Sequence, residues 1–161
     1  MKTNALRLLE QKKIAYQVVE YQYDTENLDV AKIALDNALP LAHIFKTLVT
    51  ISPTGEIMVA LVGGDKQLSK KKLAQQAGHK KIELLPLKDL LPQTGYQRGG
   101  CSPLGMKKKF RTFIDKAGLE LSQIYVNAGK RGLLFSIAPQ TLAELTAAIW
   151  AEITEEEAET A

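Results

Sequence analysis

The segment from Lys46 to Val62 constrains the fold more than any other. Lys46-Thr47-Leu48-Val49-Thr50-Ile51 and Ile57-Met58-Val59-Ala60-Leu61-Val62 are both rich in β-branched and apolar residues. Such residues fit a pleated, half-buried surface. Ser52-Pro53-Thr54-Gly55 lies between them, with Pro and Gly placed as a tight turn requires. A chain carrying this hairpin is built on a sheet. Around it, residues 3–12 read as a helix with Thr3 as N-cap, and 14–23 as a strand. Asp29 caps a helix over 30–38, stopped before Pro40. Ser69 caps another that runs to Gln76, with Gly78 at its end. A short strand at 82–84 and a short helix at 87–91 precede Pro92. Strands are expected at 96–98, 110–114, 123–127 and 133–137. Pro139 starts a last helix whose apolar stripe is Leu142, Leu145, Ala148 and Ile149. Helices and strands mix without regular βαβ alternation. The expectation is a single α+β domain with a mixed, mostly antiparallel sheet closing into a barrel-like core flanked by helices.

Two glycine-bracketed loops interrupt this pattern: Gly99-Gly100-Cys101-Ser102-Pro103-Leu104-Gly105 and Tyr125-Val126-Asn127-Ala128-Gly129-Lys130-Arg131-Gly132. Glycine lets a ligand approach the main chain closely. Loops of this kind present backbone N–H groups, which suit a developing oxyanion or a phosphate better than a metal. Taken singly, each is equally well an ordinary turn.

Few side chains compete for a catalytic role. The two histidines, His43 and His79, lie in no recognisable motif. The single cysteine, Cys101, excludes an internal disulfide and a cysteine-based zinc site. It sits in the first glycine loop with no evident base, and burial is the commoner fate of a lone thiol. Gly-Gly-Cys-Ser-Pro is not a nucleophile elbow, and Walker A, dinucleotide and His-Glu-x-x-His patterns are absent from the sequence. No metal or cofactor is expected. Lys46 opens an apolar strand, where a lysine must either snorkel to water or meet an anion.

Charge is distributed unevenly. Five of the 18 acidic residues fall within 150–161, leaving 13 among the rest of the chain against all 21 basic ones. The basic residues cluster at Lys70-Lys71-Lys72, Lys80-Lys81, Lys107-Lys108-Lys109 and Lys130-Arg131. Such clusters attract polyanions through counterion release, although a solvated helix face looks the same in sequence. The acidic stretch 152–161 reads as a frayed, solvated tail. No apolar run approaches the roughly 18–20 residues of a membrane span, and the N-terminus lacks a signal-peptide core, so a cytoplasmic protein is expected.

Phe45-Lys46-Thr47-Leu48-Val49, the Gly-Gly-x-Ser-Pro-Leu-Gly loop, Tyr125-Val126 and Gly129-Lys130-Arg131-Gly132 resemble the YbaK/EbsC family in order and spacing. These proteins are free-standing relatives of the editing domain inserted in bacterial prolyl-tRNA synthetase. The resemblance spans residues 1–151 and leaves 152–161 as the tail. It implies a deacylase that removes cysteine mischarged onto tRNA(Pro), with aminoacyl-tRNA bound through its 3′ CCA end and prolyl-tRNA synthetase as partner. Lys46 matches the family's essential lysine, placed to bind the tRNA 3′ end, and Gly99 a glycine whose backbone orients the ester. Tyr21 matches a pocket tyrosine. Gly100, Ser102, Pro103, Gly129 and Lys130 fall on the family's site loops. Asn127 stands where the family commonly has serine, and Ala128 where it has glycine.

The resemblance also implies a mechanism in which the substrate's own thiol attacks its ester, giving a thiolactone and free tRNA. That agrees with a sequence offering no convincing base. Other readings remain: a deacylase for another small amino acid such as alanine, or a non-catalytic tRNA- or synthetase-binding module. A role in regulating cell-envelope components attaches only to the EbsC name.

Overall fold

The computed structural model describes residues 2–156. Helix α1 (Asn4–Gln11) starts where the Thr3 hydroxyl accepts a hydrogen bond from Leu6 N–H, and it buries Ala5, Leu6 and Leu9. Strand β1 (Gln17–Glu20) follows, shorter than the expected 14–23. Helix α2 (Val30–Asp36) is capped by Asp29, whose side chain accepts from Ala31 N–H. Strands β2 (Phe45–Ile51) and β3 (Ile57–Gly63) form the predicted hairpin, with Lys46 opposite Val62 and Val49 opposite Val59. Then come β4 (Lys66–Leu68), α3 (Lys70–Ala77), β5 (Glu83–Leu84) and α4 (Leu87–Thr94). The final elements are β6 (Arg111–Asp115), β7 (Ile124–Asn127), β8 (Leu133–Ile137), α5 (Pro139–Thr146), β9 (Ile149–Ala151) and β10 (Thr154–Glu156).

The strands make three sheets: β5-β2-β3-β6-β9, β1-β8-β7 and β10-β4. Most pairings are antiparallel, but β3–β6 and β6–β9 are parallel. The expected barrel does not close. The two larger sheets touch through an isolated parallel bridge between Ile44 and Tyr125, so the seam between β2 and β7 stays unzipped. Side chains rather than ladder hydrogen bonds fill that seam. Phe45, Val59, Leu61 and Ile114 from the five-stranded sheet meet Ile124, Val126 and Phe135 from the three-stranded one, with α1 and α5 packed against them.

Strand β3 is buried on both faces. Val59 and Leu61 enter that central cluster, while Met58, Ala60 and Val62 point the other way, under Leu73, Ala74 and Ala77 of α3. This explains its continuous apolar run: a strand covered on both sides has no solvent face to alternate with.

Several expected elements differ. Residues 96–98 form a loop, not a strand; Tyr96 is buried and its hydroxyl donates to Leu104 O at 2.6 Å. Helix α4 runs through Pro92 to Thr94. The last helix stops at Thr146, where Ala147 takes a left-handed conformation, and Ile149–Ala151 pair with β6 instead of extending the apolar stripe. The expected frayed tail is ordered over its first residues. Ile153 is fully buried, and β10 pairs with β4. Glu157 and Glu159 lie outside the described residues.

Candidate functional site

A cavity of about 310 Å3 opens beside β2, where the two large sheets diverge. Its walls are mainly apolar, from Leu28, Val30 and Ile33 around α2, Phe45 and Val49 of β2, and Leu85 and Leu90 near α4. A few polar groups converge on it: Lys46, Thr47, Tyr21, Asn127 and Arg98, together with Gly99 and Cys101. Four of the residues singled out in the sequence, Tyr21, Lys46, Gly99 and Asn127, are thus brought to one cavity from four separate segments.

Lys46 lies near the start of β2, and its Nζ donates to Lys66 O at 2.6 Å. Tyr21 follows β1; its main-chain N–H donates to Gly132 O at 2.9 Å, and its ring is buried. Burial raises the pKa of the Tyr21 phenol, so it stays a neutral donor across the physiological range.

Asn127 holds the two glycine loops together. Its Nδ2 donates to Gly99 O at 2.8 Å and lies 3.4 Å from the Tyr21 hydroxyl, while its Oδ1 accepts from Gly129 N–H at 2.7 Å. Arg131 Nε adds a second tie, to Arg98 O at 2.9 Å. At Gly100 the loops meet backbone to backbone, since a Cβ there would lie 3.0 Å from Lys130 Cα and from Arg131 N. Gly99 has φ +80°, a conformation that a side chain would strain.

The remaining predicted residues, Gly100, Ser102, Pro103, Gly129 and Lys130, lie outside the cavity lining. Ser102 is fully buried, and its Oγ accepts from Leu104 N–H at 3.3 Å. Pro103 faces a separate cavity near Lys107. Gly129 packs on Tyr96 and Thr3, and Lys130 is exposed.

Two further polar groups at the cavity escaped the sequence reading. Thr47 Oγ1 is buried and, among the described residues, has no hydrogen-bond partner. Arg98 stands at the cavity beside Gly99. Adjacency to Lys46 and to Gly99 was the available signal for each.

The Cys101 thiol lines the cavity but is held protonated. Burial pushes its pKa up to about 12, with a hydrogen bond to Thr94 opposing the shift. Neither histidine lines the cavity. His79 Nε2 lies 2.7 Å from Glu56, which also accepts from Arg111 at 2.9 Å; both neighbours hold that carboxyl below its usual range. Among the described residues there is no group of His, Cys, Asp or Glu that could hold a metal ion, and no helix long and apolar enough to cross a membrane. Among the described residues the cavity is therefore lined by two cations, Lys46 and Arg98, by neutral donors and by main-chain groups, and by no histidine or carboxylate.

Comparison with known proteins agrees with this geometry. Residues 26–145 match the aminoacyl-tRNA editing domain. A protein of Enterococcus faecalis, EbsC, described as a candidate Cys-tRNA(Pro)/Cys-tRNA(Cys) deacylase, is 44% identical over 156 residues, covering 97% of this chain and 95% of its own. A proline–tRNA ligase of Trichlorobacter lovleyi is 29% identical over 101 residues, covering 63% of this chain and 18% of the ligase. The crystal structure of a candidate trans-editing enzyme for prolyl-tRNA synthetase superposes with a TM-score of 0.81 at 23% identity, covering 96% and 99% of the two chains. That likeness shows the same fold.

Proposed function

Since the chain belongs to the aminoacyl-tRNA editing domain family, we propose that it is a trans-editing deacylase that removes cysteine mischarged onto tRNA(Pro). The observation that carries this reading is the cavity itself: Lys46 and Gly99 line a mainly apolar space of about 310 Å3 in which the Cys101 thiol is held protonated. The enzyme works by placing the ester rather than by attacking it. The Lys46 ammonium binds the 3′ end of the tRNA, where the phosphate and ribose supply acceptors. The Gly99 main chain fixes the aminoacyl ester. Thr47 Oγ1 and the Tyr21 hydroxyl supply donors to the amino-acid end, and the apolar walls receive its side chain.

The nucleophile comes with the substrate. The cysteinyl sulfur attacks its own carbonyl carbon, the carbon–oxygen bond to the ribose breaks, and the proton ends on the ribose oxygen. Free tRNA leaves with a four-membered thiolactone, which water then opens. Holding the sulfur near the carbonyl is a proximity effect and needs no base on the protein. The reaction belongs beside aminoacyl-tRNA synthesis in the cytoplasm, with prolyl-tRNA synthetase as the natural supplier of the mischarged substrate.

The test compares Cys-tRNA(Pro) with Ser-tRNA(Pro). The esters differ by one atom, so shape separates them poorly. A thiol with a pKa of about 8.5 supplies thiolate near neutral pH, whereas an alcohol supplies almost none. The cysteinyl ester is expected to be cleaved much faster, with a thiolactone that hydroxylamine traps, and folded Lys46→Ala is expected to lose the activity. Equal rates for the two esters, with no trappable product, would point to an activated water instead.

A further inference from the structure

Hydrogen bonds connect Lys46 to the last described strand. Lys46 Nζ donates to the carbonyl of Lys66, the first residue of β4. Strand β4 has three residues, and its ladder partner is β10. Ser69 N–H donates to Ile153 O at 2.8 Å, which puts those two at a hydrogen-bonded position of the ladder even though the Ile153 N–H turns to Asp115 instead. Such pairs alternate along an antiparallel ladder, so the next is Gln67 with Glu155. Lys66, one residue further on, therefore turns its carbonyl away from β10 and toward Lys46.

A ladder this short has little stability of its own. Strand β10 is held from behind by a buried carboxylate. Asp115 Oδ1 accepts from Ile153 N–H at 3.1 Å and from the Thr154 hydroxyl at 3.2 Å. Lys72 Nζ donates to Thr154 O at 2.9 Å, and the Ile153 side chain is sealed in the cluster under α3.

We infer that β10 is a positioning element for Lys46: by pairing with β4 it fixes the Lys66 carbonyl, which holds the ammonium at the cavity. Lysine has a long flexible stem, and ordering it before substrate arrives removes that entropy cost from the reaction. Asp115 and Thr154 act through the same path, as positioning residues distant from the substrate. The inference rests on the deacylase reading above.

Glu155→Pro in the full chain tests it. Proline removes the N–H that the register directs at Gln67 O. Glu155→Gln removes the same charge and keeps that N–H. Two readouts are followed: kcat/KM on Cys-tRNA(Pro), and the acetylation rate of the Lys46 amine by an N-hydroxysuccinimide ester, measured by mass spectrometry against Lys71. The proline variant is expected to lower kcat/KM about tenfold or more, the range for losing a hydrogen bond to a charged group. Its Lys46 acetylation should rise while its melting temperature stays near that of the parent, and Glu155→Gln should behave as the parent does. Unchanged Lys46 acetylation in the proline variant overturns the inference, whatever the activity does. So does a glutamine variant as impaired as the proline one. If the parent cleaves no aminoacyl ester, the functional reading fails, and the acetylation comparison still decides this one. Should the proline variant not fold, Thr154→Val removes one anchor to Asp115 and is judged by the same two readouts.

Discussion

Cys101 separates two mechanisms that would otherwise look alike. A thiol at the wall of a deacylase cavity invites assignment as the nucleophile, yet burial holds it protonated up to about pH 12. Cys101→Ala is expected to keep activity within about twofold, because a neutral thiol is not the reactive species. A folded but inactive variant would transfer the nucleophile from substrate to protein. The same burial has a consequence for stability. The Cys101 thiol is raised from 9.0 to about 12 and the nearby Tyr96 phenol from 10.0 to about 12. Groups raised in the folded state contribute stability that is complete below their unfolded values and lost as pH climbs toward the folded ones. The urea midpoint should therefore fall as pH rises above about 9, and in Cys101→Ala the fall should begin nearer 10, where tyrosine titrates. Residue chemistry of this kind was partly legible in the sequence. Lys46, Gly99 and Tyr21 carried motif context. Thr47 did not, because its significance is a hydroxyl left without a partner, and that depends on what the rest of the chain fails to provide.

The glycine loops act as one element once Asn127 joins them. At Gly100 the loops leave no room for a side chain, with backbone atoms of Lys130 and Arg131 at 3.0 Å from a notional Cβ. Gly100→Ala must push two main chains apart, at a cost of about 1–3 kcal/mol typical of overpacking. Because the displaced loops carry Gly99 and Asn127, activity should drop severalfold along with the melting temperature. Gly55→Ala is the contrast: φ is +91° in the β2–β3 turn, but nothing lies within 4 Å. It should lower stability and leave activity intact. If both variants affect activity alike, the loop contact has no special role.

Elements with a strong periodic pattern, such as the β2–β3 hairpin and α1, could be read from sequence. Strands β4 and β9 could not. Lys66-Gln67-Leu68 is a short run with two polar residues whose pairing comes from a partner 86 to 90 residues away in the chain, and Ile149-Trp150-Ala151 fits a helical stripe as well as a strand. The expected barrel stays open for a related reason. Strand count and alternation say nothing about whether two sheets zip together at their edge, and here packing around Phe45 and Phe135 fills the seam instead.

Across the whole molecule, the basic clusters differ in how far their charge is already answered. Lys70 pairs with Glu83 and Lys72 with Glu152, both at 3.2 Å. Lys130 projects from the loop that supports the cavity. If the tRNA 3′ end enters the cavity as proposed, its backbone is expected to run past that loop. Lys130→Glu should weaken tRNA binding and reduce the slope of log affinity against log salt by about one, the value for one lost phosphate contact. Lys71→Glu, on the exposed face of α3, should change both less. Equal effects would mean that net charge alone governs association.

Distance along the chain sets the order in which this site comes into being. Thr3 Oγ1 donates to Ala128 O, Asn127 binds Gly99, and Asp115 gathers residues 153 and 154. Each closure waits for a segment made much later than its partner, and contacts of such long range are the slow ones to form. A ribosome-bound chain still short of Ile153 already has Lys46 and both glycine loops in its sequence but lacks the ladder partner of β4. If β10 positions Lys46 as inferred, editing competence arrives with that strand, and a chain not yet extended that far has no completed site.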